Sequence, residues 1–251
     1  MELTYEKLLD FVLVLTRLST FFLVLPVFGS TAIPIRLKAA MAIIMTVFFS
    51  MIVPFGLNSN TQLSMLQAIP MISNEAIYGF ALGLVARCIF SAVKIGGEIV
   101  EDQIGFKMSE VLDPLTGESA QALSTLLEMI FILLFLSANG HHLFISIIAK
   151  SYEAFPIGSI PGIEMLAGGI VNAGSAMLIA GLKIAAPILA AFLLLMVVLA
   201  ILARIVPEMN ILFISLPVRV GLGLFMMIIF IPFISTFVSE FAELMNKLIP
   251  I

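Results

Sequence analysis

Three runs in this chain, Met129–Ala149, Ile184–Ala203 and Val220–Ser239, contain no Lys, Arg, Asp or Glu. Each matches the roughly 20 residues that a helix needs to cross about 30 Å of hydrocarbon. Counted more loosely, six apolar stretches run along the sequence, at about 8–28, 39–55, 76–93, 126–149, 177–203 and 211–239. Leu, Ile, Phe, Val, Met and Ala fill them without period-two alternation, which favours helices over the short alternating strands of an outer-membrane barrel. The expected fold is therefore all-α, a polytopic membrane-protein-like set of hairpins built from about six long apolar helices. Apolar residues form 61% of the chain and charged residues 11%, against about 45–50% and about 25% in soluble domains. With 12 Lys+Arg and 16 Asp+Glu over 251 residues, the polar complement cannot cover the outside of a globule. Lipid or companion chains must take the remainder.

The net charge of −4 argues against nucleic-acid binding, which needs a basic surface. Cys88 is the single cysteine, so neither an internal disulfide nor a multi-cysteine metal site can form. Glu2, Glu6 and Asp10 give an acidic start that fits a cleaved leader poorly, so Met1 is read as the mature start. Breaks fall at Pro26–Gly29, Pro54–Asn60, Pro70, Pro156–Gly158, Pro161-Gly162, and at Pro207 and Pro217, which bracket the link between the last two helices. Small residues, Gly79 with Gly83, Gly168 with Gly174, and Gly221 with Gly223, favour close helix approach and suit a multi-subunit assembly. The loop balance of Lys and Arg slightly favours an external N-terminus.

Certain polar residues require an explanation. Arg17 and Arg87 lie inside apolar runs, where a cation costs about 2.5–3.5 kcal/mol on insertion scales. They are expected to be buried charges with structural or coupling roles, with partners outside their own run. The region Lys94–Glu128 reads as a polar, glycine-punctuated connection. Within it Glu98 and Asp102, four residues apart, share a helix face and are grouped with the buried charges. Phe106, Met108, Val111, Leu112 and Leu115 around the Asp113-Pro114 turn are too apolar for a loop simply bathed in water. Pliable Met and Phe side chains can instead seal a gap, so a pore-facing or subunit-facing loop is expected, with an ordinary connector between membrane helices as the alternative. His141-His142 are adjacent and diverge on a helix, a poor pair of metal ligands. Neither a nucleophile set, a metal-ligand set nor a nucleotide motif is present; no enzyme activity, metal or cofactor is expected.

Four blocks carry a resemblance. Leu15–Ala42, LTRLSTFFLVLPVFGSTAIPIRLKAAMA, has an Arg in the first helix, a Phe-rich stretch, a turn at Pro26 and an Ile-Pro-x-Arg start to the second helix at Pro34 and Arg36. Leu133–His141 ends in Asn139-Gly140-His141, and Phe155-Pro156-Ile157-Gly158 follows. Pro207–Leu224, PEMNILFISLPVRVGLGL, contributes Pro207, Asn210 and Pro217. In this order and across nearly the whole chain, these blocks resemble the FliR/YscT/SpaR family of type III export-apparatus proteins.

The resemblance implies a subunit of a flagellar protein-export gate in the bacterial inner membrane, at the flagellar basal body. It implies assembly with FliP-like and FliQ-like subunits and a FlhB-like protein, contact with lipid, and passage of unfolded flagellar subunits. It further implies a FliP-like portion over 1–180 and a FliQ-like C-terminal hairpin over 181–251, with the plug loop falling on Phe106–Ser119. Some apparent spans would then pack against other subunits rather than lipid. The competing readings are a small-solute secondary transporter or channel, suggested by Pro187 and Pro232 within apolar helices, and the injectisome counterpart of the gate.

Overall fold

The computed structural model describes residues 2–29, 33–52, 65–105, 121–159, 162–206 and 211–248. Every regular element among them is helical: α1 (Glu2–Val24), α2 (Pro26–Gly29), α3 (Ile35–Ile52), α4 (Met65–Ile104), α5 (Ala122–Ser137), α6 (Gly140–Ala154), α7 (Ile163–Ile205) and α8 (Ile211–Leu248). Where they are described, the six apolar stretches are almost wholly helical, but the helix count differs from six for a local reason. Stretch 126–149 is split between α5 and α6, because Asn139 adopts φ 60° and ψ 27°, the left-handed region that a short polar side chain tolerates. Pro26–Gly29 adds a turn of its own.

Three helical segments among the described residues, Gln67–Ile104, Ile163–Ile205 and Phe213–Ile234, are long and apolar enough to cross a membrane, or four if α5 and α6 count as one broken span. Two of the expected breaks are absent. Pro70 lies inside α4 and Pro217 inside α8. Each proline lies past the first turn of its helix, so one backbone hydrogen bond is given up there while the flanking apolar turns stay helical. Gly221 and Gly223 lie within α8. The polar connection is shorter than expected, since α4 continues through Lys94 to Ile104. It stops at Gly105, whose φ of +92° favours a residue without Cβ. Nothing lies within 4 Å of where its Cβ would be, so Gly105→Ala tests backbone conformation alone. Its thermal unfolding in detergent should show a loss of about 1–3 kcal/mol.

The chain divides into two compact units, Met1–Ile89 with Asn139–Gly174 and Ala242–Ile251, and Phe90–Ala138 with Ser175–Phe241. In the first, Leu9, Leu13 and Ala68 form one apolar cluster with Met71, Ile72 and Ile157. A second joins Tyr78, Ala81 and Leu166 with Phe155 and Ile170. The Gly79…Gly83 pair is spent here, within one chain: Gly79 faces the Arg17 carbonyl and Thr20 Oγ1, and a Cβ at Gly83 would stand 3.0 Å from the Phe21 carbonyl. In the second unit Phe90 meets Phe131 and Phe135 edge-on, with ring centroids 5.5 and 5.2 Å away. Gly181 lets the Ala92 carbonyl approach, and Gly97 does the same for the Ser124 backbone. Gly168, Gly174 and Gly221, by contrast, meet nothing within 4 Å.

Candidate functional site

The first unit is organised around one cation. Arg17, on α1, is 1% exposed, and each nitrogen of its guanidinium has a use. Nε donates to Glu75 Oε2 at 2.5 Å. Nη1 donates to the Ser151 carbonyl at 3.2 Å and to Ser151 Oγ at 3.4 Å. Nη2 donates to the Phe155 carbonyl at 3.0 Å. The guanidinium carbon lies 4.9 Å from the Tyr78 ring centroid and 4.2 Å from that of Tyr152, so aromatic faces attract the same charge. Glu75 is fully buried and its second oxygen, Oε1, accepts the Gly158 N–H at 3.0 Å. Gly158 has φ +78°, which lets the turn after Pro156 present that N–H.

One ion pair therefore ties α1, α4, α6 and the Phe155–Gly158 turn together. A buried pair offsets its desolvation only when remaining donors and acceptors are also satisfied, and here each guanidinium nitrogen and both carboxylate oxygens have a partner. The planar fork of arginine spreads its donors over three separate nitrogens, whereas the three N–H bonds of an ammonium group leave one atom. With its donors held by protein carbonyls and a carboxylate, the group acts as a clamp.

Sequence reasoning missed Glu75. It stands one residue outside the stretch begun at 76, yet a lone acid bordering an apolar run is the natural complement of a lone Arg within another. Of the other charges expected to be buried, Arg87 and Asp102 lie exposed on this chain and Glu98 is half-buried. Within this chain the positions of these three on α4 turn away from the unit's own core, so any burial of their charges would have to come from outside the chain. The acid buried in their place is Glu101, 1% exposed. Its oxygens accept the Leu123 N–H at 3.3 Å and the Ser124 N–H at 3.4 Å.

Among the motif residues, Pro34 accepts the Leu37 and Lys38 N–H groups through its carbonyl at 2.9 and 3.3 Å, starting α3. Arg36 is exposed and Pro26 half-buried. Asn139 is the left-handed residue ahead of α6, and its carbonyl accepts the His142 N–H at 3.0 Å. Gly140 and His141 form the first turn, with the His141 and His142 rings 4.4 Å apart. Phe106, Met108, Val111, Leu112, Asp113, Pro114 and Leu115, and also Pro207 and Asn210, lie outside the described residues. Pro217 is exposed.

Beyond these cores much apolar surface is uncovered within the chain. Leu193, Leu194, Val197 and Ile201 on α7, and Phe213, Phe225 and Ile228 on α8, are all exposed. Only 28% of the most apolar window in α7 is buried, and 17% of that in α8. Such continuous apolar faces mark contact with lipid or protein.

Residues 8–245 match a family model described as bacterial export proteins, family 1. The chain is 30% identical over 224 residues to the flagellar biosynthetic protein FliR of Bacillus subtilis, covering 87% of this chain and 85% of that protein. It is 28% identical over 224 residues to FliR of Escherichia coli, covering 89% and 85%. To FliR of Aquifex aeolicus it is 30% identical over 239 residues, covering 94% and 90%.

Proposed function

The chain belongs to the bacterial export proteins, family 1, and from that premise we propose that it is a non-enzymatic subunit of the flagellar type III export gate in the inner membrane. In this reading it joins FliP-like and FliQ-like subunits, with a FlhB-like protein nearby, in a core that passes unfolded flagellar subunits and stays closed at rest. Residues 1–180 form its FliP-like portion and 181–251 its FliQ-like hairpin. The observation that carries the reading is the match from residue 8 to 245 on a chain whose α7 and α8 leave their apolar faces open. The flagellar names of the curated relatives favour the flagellar system over its injectisome counterpart.

Helix length supports companion subunits as well as lipid. At 1.5 Å per residue, α7 is about 60 Å long, roughly twice the hydrocarbon thickness of a bilayer. Part of an apolar helix of that length must find protein if it is to remain covered. The Arg17 clamp keeps the first portion rigid, and its charges stay off the surface that lipid or partners would touch.

Closure is assigned to Phe106–Ser119, whose apolar residues would narrow the axial path and oppose leakage of water and ions. Deleting 106–119 in cells that carry the whole apparatus is expected to raise ion conductance of the inner membrane. Unchanged leakage together with unchanged export removes the plug assignment. Copurification in mild detergent, with the mass of the complex measured, is expected to retain FliP-like and FliQ-like proteins. Solute transport by the purified chain alone would instead favour the transporter reading.

A further inference from the structure

We propose that the cleft between α1 and α3 is a docking site for one anionic phospholipid, which lays an acyl chain in the cleft and its phosphate against Arg36 and Lys38. Cleft and cations belong to the same compact unit.

The cleft measures about 210 Å³, and Ser19, Phe22, Leu23, Ile35, Lys38 and Ala39 are among the residues that line it. The Ser19 hydroxyl already donates to the Thr16 carbonyl at 3.1 Å, so the polar capacity to spare is that of Lys38. An apolar cavity of about 150 Å³ stays dry and accepts a hydrocarbon guest. The guest that suits this one is apolar along most of its length and negative at one end.

The charges call for the negative end. Between Asp10 and Glu75 the chain has no acidic residue, and its cations there are Arg17, Arg36 and Lys38. Arg17 is paired with Glu75. Among the described residues Arg36 and Lys38 have no acidic partner. Lys38 Nζ donates to the Gly29 carbonyl at 3.2 Å, a neutral partner that leaves two of its three N–H bonds free. Both cations stand in the first turn of α3, the end of a helix that disfavours positive charge. Arg36 is exposed, so its guanidinium is open to a phosphate. Basic pockets between membrane helices hold anionic head groups through the same attraction.

The apolar end has a track to follow. Ala39, Ile43, Val47 and Met51 recur every four residues along α3, and all four are exposed. From Lys38 to Met51 is about 20 Å at 1.5 Å per residue. One leaflet supplies about 15 Å of a hydrocarbon core about 30 Å thick, so the track is long enough for a whole acyl chain. An extended peptide suits it less well, because its backbone amides would find no hydrogen-bond partners there.

The test uses the full-length chain, purified in mild detergent with its accompanying subunits and placed in nanodiscs. Phosphatidylglycerol with a photoreactive group in its acyl chain is diluted into phosphatidylcholine, and adducts are mapped by peptide mass spectrometry. Labelling is expected in 19–23 and 39–47, and should fall several-fold when phosphatidylcholine carries the same reactive chain. Arg36→Gln with Lys38→Gln should abolish that preference. Ala39→Phe, which fills the cleft from an exposed position, should lower labelling of both segments while the cations remain. Thermal unfolding of each variant is expected to match the parent, since none of the three residues is buried; this separates loss of the site from loss of the fold. Equal labelling by the two lipids overturns the proposal, because the cleft would then be ordinary lipid contact. So does a preference that survives removal of both cations. Absence of label from both segments overturns it as well, and would mean that a companion chain fills the cleft.

Discussion

Arg17→Met, with Glu75 left in place, is expected to destabilise the folded chain by about 3–5 kcal/mol, the usual cost of removing one member of a buried ion pair. The reason is what stays behind. Glu75 is fully buried and would keep one neutral donor, the Gly158 N–H, for a charge that had a guanidinium beside it. The Ser151 and Phe155 carbonyls would lose a donor each, and two aromatic rings would lose the cation between them. Arg17→Lys should recover little, because a single ammonium cannot reach α4, α6 and the turn together. The double replacement Arg17→Met with Glu75→Leu should be milder than either single change, since no buried charge remains uncompensated. Thermal unfolding in detergent and the steady-state amount of chain in membranes measure this. A single variant within about 1 kcal/mol of the parent would falsify the structural importance assigned to the clamp.

Gly79→Ala should also be severe, at the upper end of the about 1–3 kcal/mol typical of overpacking or beyond it. The added methyl would meet the Arg17 carbonyl and Thr20 Oγ1. Thr20 cannot simply rotate its hydroxyl away without losing its bonds to the Thr16 and Arg17 carbonyls. The backbone of α1 or α4 must therefore shift, and Arg17 would shift with it. Gly168→Ala is the matching control. It lies within α7 with nothing inside 4 Å of the new atom, so alanine should stabilise the isolated chain by roughly 0.5–1 kcal/mol through backbone entropy. Opposite signs for two glycine-to-alanine changes in membrane-type helices are hard to obtain from anything but local contact. Equal losses at both positions would sink the assignment of Gly79 to a helix crossing inside the chain. Loss of subunit binding by Gly168→Ala, without loss of stability, would mark α7 as a contact for a companion chain.

Helical class and the need for an apolar environment were legible from the residues alone. Backbone polar groups in lipid must be satisfied within the segment, so an uncharged apolar run of sufficient length has few alternatives to helix. The blocks from Leu15 to Leu224 also carried the family, because turn residues such as Asn139 and the Phe155–Gly158 run constrain backbone geometry that spacing preserves. Helix ends were less legible. Pro70 and Pro217 read as breaks in sequence but sit inside α4 and α8, where tertiary support outweighs the loss of one hydrogen bond.

The charged residues divide most clearly between the two levels. Sequence required that Arg17 find a partner, since a lone cation in an apolar run cannot remain uncompensated. It could not name Glu75, 58 residues away, because pairing at that separation depends on how α1 and α4 cross. Nor could it choose among Glu98, Glu101 and Asp102, which follow one another on α4. Adjacent positions on a helix differ by about 100° in direction, so burial of one and exposure of its neighbour rests on which face meets Ser124. That face is selected by Gly97 and the close approach it allows, a property of two packed backbones that no single stretch of chain contains.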